Sequence, residues 1–275
     1  MIQPIVSVDW LKEHLTDPDL ILLDASPESN ISNLASAHQE VMIPGSRHFD
    51  LKGKFSDPDS PFPNTLPSEA QFEYESRKLG INKTSRIIVY DNLGIYTSPR
   101  VWWMFRAMGH HEVAVLDGGL PEWILEGHST VSRQFTDCDP GDFEARLDGS
   151  NVKSYEDMVS NIAEKNYLVV DARSKGRFNG TEKEPRKGLK SGHMANSVNI
   201  PFEWVLEGGK FKSPGELKDL FDGKIDKERE LTFSCGSGLT ACIVLLACEL
   251  VHDRRKSVYD GSWTEWAELQ GLKEN

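Results

Sequence analysis

Short apolar runs alternate with stretches of helical period along the whole chain. Positions 20–24, 86–90 and 112–116 are dense in aliphatic and β-branched residues and too short for helices, so they are predicted strands. Helices are predicted at 8–15, 68–79 and 99–108. In the second half the same reading predicts strands at 167–172, 198–201, 230–234 and 257–259. Helices are predicted at 154–162 and at 213–220, the latter opened by Pro214 just inside a Ser213 cap, and an apolar helical run covers 242–250. Alternation of this kind predicts α/β domains, each a mainly parallel sheet flanked by helices. Ligands of such sheets gather at the carboxyl ends of the strands.

A set of landmarks occurs twice in the same order. Leu22-Leu23-Asp24-Ala25, a strand ending at Asp91, and Leu116-Asp117-Gly118-Gly119-Leu120-Pro121-Glu122-Trp123 mark the first half. Val169-Val170-Asp171-Ala172, a strand ending at Cys235, and Tyr259-Asp260-Gly261-Ser262-Trp263-Thr264-Glu265-Trp266 mark the second. Asp24 and Asp91 are 67 positions apart, Asp171 and Cys235 64. Repetition at so long a period indicates a duplicated domain and not a solenoid. The expected organisation is a domain over residues 1–128, a polar linker over 129–150 and a second domain over 151–275. The 275 residues give each half enough chain for its own core.

Composition narrows the function classes. The balance of 31 basic against 43 acidic residues, net −12, argues against nucleic acid and anionic membrane as partners. No apolar run reaches the roughly 18 residues of a membrane span, and Met1-Ile2-Gln3-Pro4 leads straight into an amphipathic pattern, so no signal peptide is expected. The four cysteines form no C-x-x-C pair and no histidine stands at zinc-ligand spacing, so neither a metal nor a cofactor is expected. Cys242 and Cys248 read as small core residues and Cys138 lies in the linker. A single reactive cysteine among four suits a reducing, cytoplasmic setting.

That reactive residue is Cys235. A strand delivers it into Gly236-Ser237-Gly238, a turn that opens a helix, where turn amides and the helix dipole favour a thiolate. Gly236 and Gly238 are expected to take positive φ and leave open space over the sulfur. In the first half Asp91 holds the corresponding position; a carboxylate cannot carry labile sulfur, so Asp91 is expected to cap or pair, and the chemistry falls to the second half.

The string Cys235-Gly236-Ser237-Gly238-Leu239-Thr240-Ala241 resembles the active-site loop of 3-mercaptopyruvate sulfurtransferases, a branch of the tandem-domain rhodanese superfamily. The resemblance implies two rhodanese-like domains, the second catalytic, and a persulfide on Cys235. Ser237 and Thr240 would act beside it, with Gly236, Gly238 and Leu239 lining the donor site. It also implies two arginines nine positions apart that hold the donor's carboxylate and keto oxygen. Arg177-Phe178 and Pro185-Arg186 match in residues and spacing, within a long polar loop, and a guanidinium fork suits a carboxylate. Expected acceptors are a thiol, such as thioredoxin or glutathione, or cyanide.

Thiosulfate is the expected weaker donor, because loops that take this dianion carry basic residues after the cysteine, whereas Gly236, Ser237 and Gly238 are neutral. The alternatives are a thiosulfate sulfurtransferase and a non-catalytic rhodanese-like binding or sensor module, which the intact loop disfavours. A cysteine phosphatase needs an arginine at position 241, which is Ala241. The chain departs from the resembling branch at Asn64 and Lys52, which stand where a relay histidine and its aspartate are expected. His48 is the nearest histidine on that segment. Turnover is therefore expected to rest on loop amides and arginines.

Overall fold

The structure is a computed structural model that describes residues 2–274 except Ile31, Asn33 and Lys227. Its contacts divide the chain into two compact units. Unit 1 holds Met1–Pro58, Leu66–Asp148 and Gly208–Phe211; unit 2 holds Asp59–Thr65, Gly149–Glu207 and Lys212–Asn275.

Unit 1 runs β1 (Ile5–Val6), α1 (Val8–His14), β2 (Leu20–Asp24), β3 (Arg47–His48), α2 (Glu69–Lys78), β4 (Arg86–Tyr90), α3 (Ser98–Ala107), β5 (Val113–Leu116) and α4 (Gly119–Leu125). The strands form a parallel sheet in the order β1-β5-β4-β2-β3. Leu22, Ile88, Tyr90 and Leu116 pack with Val8 and Leu11 of α1 and Leu120 and Trp123 of α4. An aromatic cluster forms separately from Phe49, Phe55, Phe72, Phe105 and Phe143. Residues 129–148 pack within unit 1: Val131–Ser132 pair with Val41–Met42, Arg133 reaches the buried Asp24 carboxylate at 3.0 Å, and Phe143 is buried.

Unit 2 runs β6 (Val152–Lys153), α5 (Tyr155–Glu164), β7 (Tyr167–Asp171), α6 (Lys175–Asn179), β8 (Ser197–Asn199), α7 (Pro214–Asp222), β9 (Glu230–Ser234), α8 (Leu239–Glu249), β10 (Lys256–Tyr259) and α9 (Ser262–Leu269). Its parallel order, β6-β10-β9-β7-β8, is the order of unit 1 with each strand exchanged for its repeat. Reciprocal capping boxes start α5 at Ser154 and α7 at Ser213, which accounts for their sharp beginnings. Every residue of α8 from Ala241 to Cys248 is buried, as its unbroken apolar sequence requires.

Three features depart from the expected pattern. Helix α8 begins at Leu239, ahead of the apolar run at 242, because Gly238 in the left-handed region caps it. Helices α4 and α9 grow directly from the repeated Asp-Gly landmarks, and the two-residue strands β1, β3 and β6 are too short to show a period. No helix among the described residues is long and apolar enough to cross a membrane.

Candidate active site

Strand β9 pairs with β7 in a register that sets Ser234 opposite Asp171, and the Ala172 amide donates to the Ser234 carbonyl at 2.8 Å. Cys235 therefore leaves the carboxyl end of the middle strand, and it is buried. Gly238 has φ +76 and caps α8; Leu239 and Thr240 are the first residues of that helix.

Gly236 overturns one expectation. It is not in the left-handed region, and the space beside it is not open. A Cβ there would lie 3.0 Å from Arg177 Nη2 and 3.5 Å from Arg186 Nη1. A side chain there would crowd the Arg177 guanidinium and touch that of Arg186, so the two arginines that the resemblance singled out meet at the cysteine loop.

The loop hangs from the start of α9. Ser262 Oγ accepts the Cys235 amide at 3.1 Å and the Gly238 amide at 3.0 Å, and donates to the Tyr259 carbonyl at 2.9 Å. Two of the amides expected to face the sulfur are thus engaged by a hydroxyl. The Trp263 amide donates to the Cys235 carbonyl at 2.9 Å. Thr264 Oγ1 donates to the Gly236 carbonyl at 2.5 Å and accepts from Arg186 Nη1 at 3.0 Å, tying this arginine to the loop.

Sequence reasoning missed Ser262 and Thr264, although the repeat held a signal for the first. Gly119 occupies the same slot in unit 1 with φ +55, against +52 for Ser262, and the Leu120 amide reaches the Asp91 carbonyl at 3.0 Å as Trp263 reaches Cys235. A side chain at Gly119 would meet the Asp91 carbonyl oxygen at 2.4 Å.

Ser237 is buried, and Asn64 Nδ2 donates to its hydroxyl at 3.0 Å and to its carbonyl at 3.2 Å. Asn64 has φ +60, a conformation that asparagine tolerates better than most residues. An amide therefore touches Ser237 where the resemblance leads one to expect an imidazole.

The arginine loop is built on α6, capped by Ser174 and closed by Gly180 at φ +75. Arg177 Nη2 lies 2.6 Å from Glu184 Oε2, and its Nε lies 3.2 Å from both carboxylate oxygens. Glu184 Oε1 lies 2.7 Å from Arg173 Nη1, and Arg173 Nη2 lies 2.6 Å from Asp171 and from the Gly192 carbonyl. The Arg173 guanidinium also sits 4.2 Å from the Trp263 ring. Burial pulls the pKa of Arg173 down, but Asp171 and Glu184 outweigh it and leave it raised. For Arg186, burial lowers the pKa; the Cys235 sulfur opposes this and Arg177 adds to it.

Cys248, Cys242 and Asp91 have structural surroundings. Burial pushes the Cys248 thiol up to about 12, and the Cys242 thiol donates to the Gly238 carbonyl at 3.3 Å. In unit 1, Asp91 Oδ2 accepts the amides of Tyr96, Thr97 and Ser98, each at 2.9 Å, and the Ser98 hydroxyl at 2.7 Å. The carboxylate caps α3 from the position that holds the sulfur in unit 2.

Residues 7–126 and 154–269 each match the Rhodanese-like domain. The 3-mercaptopyruvate sulfurtransferase of Mus musculus is 41% identical over 97% of this chain and 92% of its own length. The thiosulfate sulfurtransferase of Cricetulus griseus is 42% identical over 95% of this chain and 91% of its own. Among solved structures, SseA from Escherichia coli, described as a 3-mercaptopyruvate sulfotransferase with the rhodanese fold, aligns with a TM-score of 0.82 at 32% identity, covering 95% of this chain and 99% of that one. Two parallel sheets of one strand order and two matched segments lead to one conclusion: the chain belongs to the rhodanese-like family and carries its domain twice.

Proposed function

We propose that the chain is a sulfurtransferase that takes sulfur from 3-mercaptopyruvate, carries it as a persulfide on Cys235 and passes it to a thiol or to cyanide, releasing pyruvate. The observation that carries this reading is the meeting of Arg177 and Arg186 over Gly236, within the loop of the buried Cys235. Two guanidinium forks beside a strand-end cysteine suit a small donor that has both a carboxylate and a keto oxygen.

The Cys235 thiolate attacks the donor sulfur. A sulfur–sulfur bond forms, the carbon–sulfur bond breaks, and its electron pair goes to carbon as the enolate of pyruvate, which then takes a proton. Charge grows on the keto oxygen as the bond breaks, so a guanidinium there binds the transition state more tightly than the ground state. Ser237 and Thr240 serve as hydrogen-bond donors to the enolate, and Gly238 and Leu239 line the donor site. An acceptor thiolate then attacks the outer sulfur, which gives two half-reactions of the ping-pong type. Thioredoxin, glutathione and cyanide fit as acceptors. A reducing compartment such as the cytoplasm accords with four cysteines outside any disulfide. In this reading unit 2, built mainly on residues 151–275, does the chemistry, unit 1, built mainly on residues 1–128, is the non-catalytic domain, and 129–150 join them with 129–148 packed in unit 1.

A thiosulfate-first reading draws support from the hamster relative's name. The neutral Gly236-Ser237-Gly238 run favours the monocarboxylate. The test is kcat/KM for both donors on the purified protein, with pyruvate release followed for one and sulfite for the other. A preference for 3-mercaptopyruvate is expected; a preference for thiosulfate reverses the donor assignment, and no persulfide with either ends the enzymatic reading.

A further inference from the structure

The donor arginines are not equivalent. The Glu184 side chain is 3% exposed and bridges Arg177 and Arg173, which in turn holds Asp171. Nε and Nη2 of Arg177 are both turned to this carboxylate. Asp171, Arg173, Glu184 and Arg177 together carry two negative and two positive charges, so the group is balanced before any donor arrives. Arg186 has a neutral hydrogen-bond partner in Thr264 Oγ1 and adds a further positive charge beside the sulfur, faced by Cys235 and more weakly by Glu184.

We infer that Glu184 is a positioning residue that fixes the Arg177 fork and sets the site's preference for a singly charged donor over a doubly charged one. This rests on the sulfurtransferase reading above. By occupying one edge of Arg177, the carboxylate locks the guanidinium plane and presents its remaining edge in one orientation. By its charge it cancels one arginine. Exchanging Glu184 for a neutral residue adds a positive charge to the site, and an added positive charge favours a dianion more than a monoanion, whatever the other contacts.

The experiment uses the full chain with Glu184→Gln and Glu184→Asp, measuring kcat and KM separately for 3-mercaptopyruvate and thiosulfate. Glu184→Gln is expected to raise the thiosulfate-to-mercaptopyruvate ratio of kcat/KM on the order of tenfold. Glu184→Asp keeps the charge but shortens the reach by a methylene. It is expected to raise KM for 3-mercaptopyruvate severalfold while changing the ratio less than about twofold. An unchanged ratio in Glu184→Gln, or the same ratio shift in both variants, overturns the inference. Should Glu184→Gln fail to fold with Arg177 uncompensated, Glu184→Asp decides alone: an unaltered KM refutes the positioning role. The wild-type control separates the two levels, because a wild type that forms no persulfide with either donor ends the parent reading, whereas an active wild type with a flat variant ratio ends only this one.

Discussion

The hydroxyl oxygen of Ser262 accepts the backbone amide of Cys235 at 3.1 Å, and the same oxygen accepts the Gly238 amide at 3.0 Å. A single side chain on α9 thereby pins both ends of the loop that carries the sulfur. It does so from φ +52, a conformation that costs a non-glycine residue on the order of 1 kcal/mol or more.

Replacing that hydroxyl tests the anchor. Ser262→Ala keeps the strained backbone and strands two buried amides, so a loss of about 2–4 kcal/mol is expected in urea unfolding. Ser262→Gly loses the same bonds but relaxes the backbone, and should be the milder change. Both should slow persulfide formation in single-turnover intact-mass assays. Equal stability of the two variants would contradict the strain argument.

Cys235→Ser should abolish both turnover and the one-sulfur mass increase that donor treatment produces. Mass mapped instead to Cys138, Cys242 or Cys248 would sink the assignment. Asp91→Asn should leave the chemistry largely unchanged while costing about 1–2 kcal/mol of stability, because the carboxylate caps α3 through three amides and a hydroxyl.

Arg177→Ala and Arg186→Ala should each lower kcat/KM for 3-mercaptopyruvate by about 10- to 150-fold, the scale of a lost charged hydrogen bond. Lysine at either position should recover only part of this, since it keeps the charge and loses the fork. Unchanged kinetics in both alanine variants would return the loop to a structural role.

The amide of Asn64 on Ser237 cannot take a proton at neutral pH. The pH profile of kcat should therefore lack a limb from a relay histidine near 6.5. Asn64→Ala should lower kcat only about fivefold, the scale of its neutral hydrogen bond to the Ser237 hydroxyl. The pKa of His48 is lowered by burial and by Arg133, which makes it a poor substitute base. If a histidine limb appears and His48→Ala removes it together with most of kcat, the relay has been rebuilt from another position.

His110 offers a pH test of stability. Its ring is buried with Nε2 2.9 Å from the Ser85 carbonyl, and burial lowers its pKa, which hydrogen bonding only partly opposes. The unfolded chain then binds the proton more readily than the folded one. The stabilisation is complete above about 6.5 and is lost as pH falls from there through the lowered folded value. Unfolding free energy should decline between about pH 7 and 5, and His110→Gln should flatten that decline; an unaltered slope would exclude this histidine as its source.

Local pattern sufficed for much of this protein. Strand-length apolar runs and helical periods are properties of neighbouring residues, so 20–24, 86–90 and 230–234 were legible as strands, and the repeated Asp-Gly landmarks disclosed the duplication. Cys235 before a glycine-rich turn stood out as a candidate because its motif is contiguous, and Arg177 with Arg186 stood out only through the resemblance, since a charged loop by itself reads as solvated. The anchors were not. Ser262 meets Cys235 across 27 positions, Thr264 meets Gly236 across 28, and Asn64 meets Ser237 across 173. Contacts of that range leave no period in the chain, because they depend on how the sheet register brings separate loops to one end of a strand. The same holds for Gly236, expected at positive φ, which the folded chain instead places in ordinary backbone space beside the Arg177 and Arg186 guanidinium groups. Which residues are candidates for the chemistry was thus a matter of short segments, whereas how the charges balance around Glu184 and which hydroxyl suspends the loop were decided only when the chain closed on itself.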